Sequence, residues 1–280
     1  MKTDGNDVTV LMTFRADSRE RLENVVQVVH FLQRHWTFHI KLLEADAYDS
    51  GLLCRLLEGV DYRFVHDEDP VFYRTRYHNR MAVEVQTPIL SIWDADVLAP
   101  PAQINDALEA LRNNACEVAF PYQGLAWDVS KPIRDLYVET GDESLLYRQQ
   151  GKMKPLHEGM ALRGGIFFMK TEAYRVAGME NTAFYGWGSE DFERYDRWSI
   201  SGYRIHLVPG VLYHLTHPRG KNSAYYGPEH LMESEQAIFT TRVSSAEELR
   251  SMQDNIYCPA QRRYTALPNE DILPGQSQYY

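Results

Sequence analysis

The sequence predicts an α/β fold with a mixed, mainly parallel sheet flanked by helices, and three stretches carry that prediction. Val8 to Phe14 is a short, β-rich apolar run. Behind it Leu22, Val25, Val26, Val29 and Leu32 recur at helical spacing, and a second apolar run follows at Phe38 to Leu43. Strand, helix and strand in this order open a parallel sheet. Ile89 to Trp93 is another buried strand, and it runs directly into Asp94-Ala95-Asp96. Gly164-Gly165 leads into a later strand through Met169.

The elements follow in chain order. Asp17 or Ser18 caps the first helix, since a short side-chain oxygen can accept from the free N–H groups of the first turn. Tyr62 to Val65 reads as a third strand and Phe72 to Val85 as a helix carrying Arg74, Arg76, Asn79 and Arg80. Pro100 and Pro101 open a helix running to about Asn113, and Glu117 to Phe120 gives a further strand. Tyr122 to Arg163 is less regular, with one helical segment near Ile133 to Glu139. A short helix starts at Thr171 and ends near Gly178. Gly186-Trp187-Gly188-Ser189-Glu190-Asp191 precedes an amphipathic helix to about Ser201, and short strands follow at Ile205 to Val208 and Val211 to Tyr213. Beyond Glu235 the patterning changes, with a helix expected from Ser244 to Gln253 and a polar tail from Pro259 to Tyr280. The expected organisation is one domain over residues 1–235 with a helical or irregular appendage over 236–280.

Composition narrows the class. The 280 residues are 44% hydrophobic, enough for a sizeable core. Lys and Arg total 29 against 39 Asp and Glu, a net charge of −10. A chain this acidic lacks the footprint of a nucleic-acid binder. The three cysteines, Cys54, Cys116 and Cys258, are far apart and form no CxxC pair. That argues against a disulfide framework and a cysteine-based zinc site, and it suits a reducing compartment. No signal-like or membrane-spanning run is evident. The expectation is a cytoplasmic protein, working in solution or peripherally at the inner face of the membrane.

Asp94 and Asp96 sit at the C-terminal end of a strand, the edge where open α/β sheets bind ligands. Their hard oxygens suit Mn²⁺ or Mg²⁺, ions that share coordination with substrate phosphates. An Asp-rich turn after a strand is common, so this pair alone does not define a site. Glu190-Asp191 opens a helix, where acids complement the helix dipole. A tryptophan between two glycines is an unusual choice for a plain turn, and suits a mobile aromatic lid beside a carboxylate base. His214 follows a strand and can complete a site of Asp oxygens. At spacing three, His214 and His217 share a face only in a helix, so in a strand or loop one ligand is expected rather than two. Arg15, Arg74 and Arg76 can fork onto phosphate oxygens, and the Phe14 ring can stack on a base.

In this order the motifs resemble the GT-A glycosyltransferases, and among them the β-1,4-galactosyltransferase-like group and the bacterial chondroitin-polymerase-type transferases. The matching stations are Thr13-Phe14-Arg15, Phe72 to Asn79, Asp94-Ala95-Asp96, Gly164-Gly165, Gly186 to Asp191, and Tyr213-His214. The resemblance implies an inverting, metal-dependent transferase that moves a hexose or N-acetylhexosamine, galactose-type favoured, from a UDP-sugar to a hydroxyl of a glycan or lipid-linked saccharide. It implies Asp191 as general base and Glu190 as its sugar-orienting neighbour. It implies donor contacts from Phe14, Arg15, Arg74, Asn79, Asp94, Gly165 and Trp187. Asp96 and His214 would hold Mn²⁺ or Mg²⁺, with Asp94 and His217 as alternative ligands. Two departures stand out. Asp17 occupies a position where many relatives carry a second arginine, leaving Arg19, Arg74 or Arg76 for the diphosphate. Ser189 replaces a glycine of the GWGGED pattern. Two other readings remain: a nucleotidyltransferase, disfavoured by the absence of glycine from Thr13 to Ser18, and a catalytically inactive sugar-binding or scaffold domain.

Overall fold

A computed structural model describes residues 2–252. In chain order its strands and helices are β1 (Val8–Phe14), α1 (Arg19–His35), β2 (His39–Asp46), α2 (Leu52–Leu56), β3 (Asp61–His66), α3 (Arg74–Ala82), β4 (Ile89–Trp93), β5 (Val97–Leu98), α4 (Pro101–Arg112), β6 (Val118–Phe120), β7 (Leu125–Val129), α5 (Lys131–Thr140), α6 (Ser144–Arg148), β8 (Lys154–Pro155), β9 (Ile166–Lys170), α7 (Thr171–Val176), α8 (Glu190–Ile200), β10 (Ile205–Leu207), β11 (Val211–Leu215) and α9 (Pro228–Val243). The Ser18 hydroxyl accepts from the Arg21 N–H and starts α1.

The main sheet has the order β10-β6-β9-β4-β1-β2-β3. Strands β3, β2, β1 and β4 run parallel. β9 is antiparallel to both β4 and β6, and β10 is parallel to β6. All seven residues of β1 are buried, which is why it reads as an unbroken apolar run rather than an alternating one.

A second sheet of order β5-β11-β7-β8 was not visible in the sequence as a sheet. Two of its strands are only two residues long, and one of those contains Pro155. It matters because β11 lies between β5 and β7. The register sets His214 opposite Val97 on one side and Asp128 on the other. The Leu215 N–H also donates to the Asp96 carbonyl at 2.7 Å. The carboxyl end of the main sheet is thereby joined to the strand carrying the first histidine.

The end of β11 is held from behind by α1. Asn24 is fully buried; its amide donates to the Leu215 carbonyl at 2.7 Å and accepts from Arg134 Nε at 3.0 Å. Arg134 also reaches Glu23 and the Glu20 carbonyl, tying α5 to α1.

The expected boundary at residue 235 falls within α9, which packs along α8. Residues 246–252 are helical, and Ser245 caps them in a reciprocal pair with Glu248. The polar tail from Pro259 to Tyr280 and Cys258 lie outside the described residues.

Asn24→Ala leaves the Leu215 carbonyl and Arg134 Nε without their partner. It should lower the unfolding free energy by about 1–3 kcal/mol, read from the urea midpoint at unchanged slope. An unchanged midpoint would show that water satisfies both groups.

Candidate active site

A cleft of about 360 Å³ opens at the carboxyl ends of β1 and β4, where the two sheets meet. Of the residues singled out from sequence, Arg74, Asp94, Asp96, Gly165, Trp187, Glu190, Asp191, His214 and His217 all line it. Phe14, Arg15 and Asn79 do not.

Arg15 is turned inward instead. Its Nε donates to the Ala45 carbonyl at 2.8 Å, Nη1 to the Asp69 carbonyl at 2.7 Å, and Nη2 pairs with Asp67 at 2.7 Å. The same guanidinium lies 5.2 Å from the centre of the Phe72 ring, and it is Phe72, not Phe14, that reaches the cleft. Asn79 is buried and exchanges two hydrogen bonds of 2.8 Å with the backbone of Glu180. It anchors the chain leading to the Trp187 loop. Arg21, one helical turn into α1, takes the place at the cleft that Asp17 and Arg19 do not fill; it pairs with Asp17 at 3.1 Å and bonds Ser223.

Asp96, His214 and His217 converge. Asp96 Oδ2 is 3.1 Å from His217 Nε2 and 3.9 Å from His214 Nε2. One candidate atom from each residue lies within 4.8 Å of the others. The spacing of the two histidines leads to the expectation that only one would face the site; here both rings do. β11 ends at Leu215, and the chain beyond it turns His217 back so that the two rings are 5.2 Å apart. Each ring has its outer nitrogen engaged: His214 Nδ1 with Asp128 at 2.8 Å, and His217 Nδ1 with the Pro218 carbonyl at 2.9 Å. This fixes both rings with Nε2 turned inward, the arrangement by which partners behind a ligand orient it. Two imidazole nitrogens and a carboxylate suit Mn²⁺, so these residues fit a divalent ion. Burial works against the Asp96 carboxylate, but the hydrogen bond from His217 and the histidine charges hold its pKa far below the ordinary range.

A second group of charges lies across the cleft. Arg74 contacts Asp94 at 3.4 Å, Glu190 at 3.5 Å and Asp191 at 3.6 Å. Burial, with only partial relief from Arg74 and added repulsion from Asp191, pushes Glu190 up to about 8. Its Oε2 is buried and has no hydrogen-bond partner among the described residues. Burial likewise raises Asp94, to about 6. Asp191 behaves oppositely: burial would raise it, but the guanidinium groups of Arg194 and Arg74 hold it below its ordinary value.

Glycines shape the walls. Gly165 has φ +85° and gives its carbonyl to the Asp94 N–H at 2.8 Å; a Cβ there would lie 2.9 Å from Leu212. Gly164, whose own part was not anticipated, has Asp191 Oδ2 against its Cα, where a Cβ would overlap it. Trp187 packs edge-on to Tyr225 with ring centres 5.0 Å apart, and the Ser189 hydroxyl faces the Tyr225 hydroxyl at 3.4 Å.

Residues 146–221 match a family model described as the N-terminal domain of galactosyltransferase. The matched stretch contains both glycines, Trp187, Glu190, Asp191 and both histidines. No sequence among the curated proteins matches the chain. Among solved structures, S. aureus TarS 1-349 in complex with UDP-GlcNAc superposes with a TM-score of 0.55 at 13% identity, covering 97% of this chain and 74% of that one. A mannosyltransferase from Pyrobaculum calidifontis in complex with GDP-Man and Mn²⁺ gives 0.47 at 16% identity, covering 94% and 76%. Glucosyl-3-phosphoglycerate synthase from Mycobacterium tuberculosis, in complex with Mn²⁺, UDP and phosphoglyceric acid, gives 0.47 at 14%, covering 75% and 71%. The fold is GT-A, as the resemblance implied.

Two predictions follow from this geometry. Asp128→Asn should weaken Mn²⁺ binding by about 10–100-fold, measured by calorimetry; unchanged affinity would mean that His214 needs no partner to hold its tautomer. Glu190 holds its proton more tightly in the folded chain than the ordinary value of 4.5 allows. It therefore makes stability fall as pH rises from that value to about 8. Glu190→Gln, neutral throughout, should flatten that fall in the metal-free melting temperature. Parallel curves for the two proteins would show Glu190 to be ionised at neutral pH.

Proposed function

We propose that the chain is an inverting, metal-dependent glycosyltransferase that moves a hexose or N-acetylhexosamine, galactose-type favoured, from a UDP-sugar to a hydroxyl of a glycan or lipid-linked saccharide. The observation that carries this reading is the convergence of Asp96, His214 and His217 on the same cleft as an ionised Asp191. The galactosyltransferase match over 146–221 supports it. A cytoplasmic setting is part of the proposal. It is supported by the free thiols Cys54 and Cys116, and among the described residues no helix is long and apolar enough to cross a membrane.

Asp96, His214 and His217 would hold the ion, which when bound supplies positive charge against the departing diphosphate. Arg21, at the same cleft, offers a guanidinium to phosphate oxygens. Asp191 takes the proton of the acceptor hydroxyl as its oxygen bonds to the anomeric carbon. The bond from that carbon to the diphosphate oxygen breaks, and the electron pair leaves with the nucleotide. One displacement from the face opposite the leaving group inverts the centre. Glu190, holding its proton, can donate to or accept from a sugar hydroxyl and so orient the ring. Trp187, closing over the donor, keeps water from competing with the acceptor.

UDP titrated by calorimetry should bind wild-type protein only with Mn²⁺, and Asp96→Ala should abolish that binding. Asp191→Asn should bind UDP normally yet release UDP from UDP-galactose or UDP-N-acetylgalactosamine about 10²–10⁴-fold more slowly. Failure of wild-type protein to bind UDP with any divalent ion would sink the donor assignment.

A further inference from the structure

Arg194 lies one turn along α8 from Asp191 and is only 1% exposed. Its Nη2 donates to Asp191 Oδ1 at 2.7 Å, and its Nη1 to Glu180 Oε2 at 2.6 Å. Glu180, also 1% exposed, is held in turn by the Tyr174 hydroxyl at 3.0 Å and through its backbone by Asn79. The guanidinium is stacked 4.5 Å from the centre of the Phe167 ring and 5.6 Å from that of Trp198. A buried arginine of this kind has no freedom to follow a moving carboxylate. The carboxylate must come to it.

The second oxygen of Asp191 is confined differently. Oδ2 lies against the Cα of Gly164, where a side chain would occupy its place. The Gly164 carbonyl is itself fixed by the Tyr122 hydroxyl at 2.6 Å. We propose that Arg194, backed by Glu180, is the positioning residue for Asp191: it pins Oδ1, so that Oδ2 alone is left at the Gly164 wall to receive the acceptor's proton. The inference rests on the reading of Asp191 as the base.

Other groups act on Asp191 from neighbouring elements. Arg74 comes from α3, Asp94 from the turn after β4, Tyr122 from beyond β6, and Glu190 from α8 itself. Arg74 is divided among three carboxylates at 3.4–3.6 Å, whereas Arg194 gives Asp191 a direct bond. Arg194 is accordingly the larger of the two influences that keep Asp191 ionised in spite of its burial.

The test does not depend on knowing the acceptor. Full-length protein labelled with ¹³C at the aspartate carboxyls is titrated by NMR, with Asp191 identified by the resonance missing from Asp191→Asn. The wild-type midpoint should lie below the ordinary aspartate range. In Arg194→Gln/Glu180→Gln, which removes both buried charges together, it should rise by about 1–3 units. A midpoint that does not move, or that is already ordinary in wild type, overturns the inference. Arg194→Lys carries the test if the double variant does not fold. It retains the charge but not the fork, so the midpoint should stay low. Slow UDP release from UDP-galactose with water as the acceptor, its proton passing to Asp191, should nevertheless fall at least about tenfold, with Mn²⁺-dependent UDP affinity unchanged. Undiminished release from Arg194→Lys overturns the positioning role. Asp191→Asn that releases UDP as fast as wild type would instead remove Asp191 as the base while leaving the titration result in place.

Discussion

Asp94, Glu190, Asp191 and Glu180 are gathered at one end of a sheet around two guanidinium groups, and most of the cleft's architecture answers to that crowding. Like charges at this spacing cannot all stay ionised away from water. Arg74 and Arg194 are the local counter-charges, and they divide the work unequally. Arg74 spreads thinly over three partners. Arg194 commits to Asp191 and Glu180. The carboxylates consequently separate: Asp191 is held charged, while Asp94 and Glu190 are driven toward their neutral forms. Divergence of this kind between neighbouring acids is what assigns one of them to accept a proton and another to share hydrogen bonds.

The side of the cleft that carries Asp96 and the two histidines obeys a different constraint, one of register. β11 is bonded on both flanks, so His214 cannot shift along its strand without disturbing its pairing with both Val97 and Asp128. The Leu215 N–H on the Asp96 carbonyl ties the aspartate to the same ladder. Asn24 then locks the strand end to α1 through the Leu215 carbonyl. A side chain deep in the first helix, remote in sequence from either histidine, is thus part of what keeps Asp96, His214 and His217 together.

Much of the main sheet was legible because its central strands β1, β4 and β9 are buried on both faces and its helices carry a one-sided apolar stripe. β1 and β4 appear with the bounds read from the chain. The cleft residues were legible where chemistry is concentrated in a short motif, as at Asp94 to Asp96 and Gly186 to Asp191. Two kinds of feature were not. The small sheet is built from strands too short to show a period. The roles of Arg15 and Asn79 turned on which way a side chain points, and residue type alone does not reveal that. Arg15 spends its donors on Ala45, Asp69 and Asp67, partners that β2 and the chain after β3 bring from far along the sequence. The convergence of His217 with His214 depends on a turn after β11 that no spacing rule anticipates.

Helix α9 was obscure for a related reason, since its pattern is partly inverted. His230, Ser234 and Thr241 are its buried side chains, whereas Met232, Phe239 and Val243 are exposed. Ser234 accepts from the Ser189 N–H and leaves no room for a Cβ at Gly188, and Thr241 donates to Glu193. Ser234 thereby fastens the helix to the Trp187 loop, and Thr241 fastens it to α8. Hydrogen bonds weaken steeply with misalignment, so these two contacts hold the helix in one register against the loop and α8.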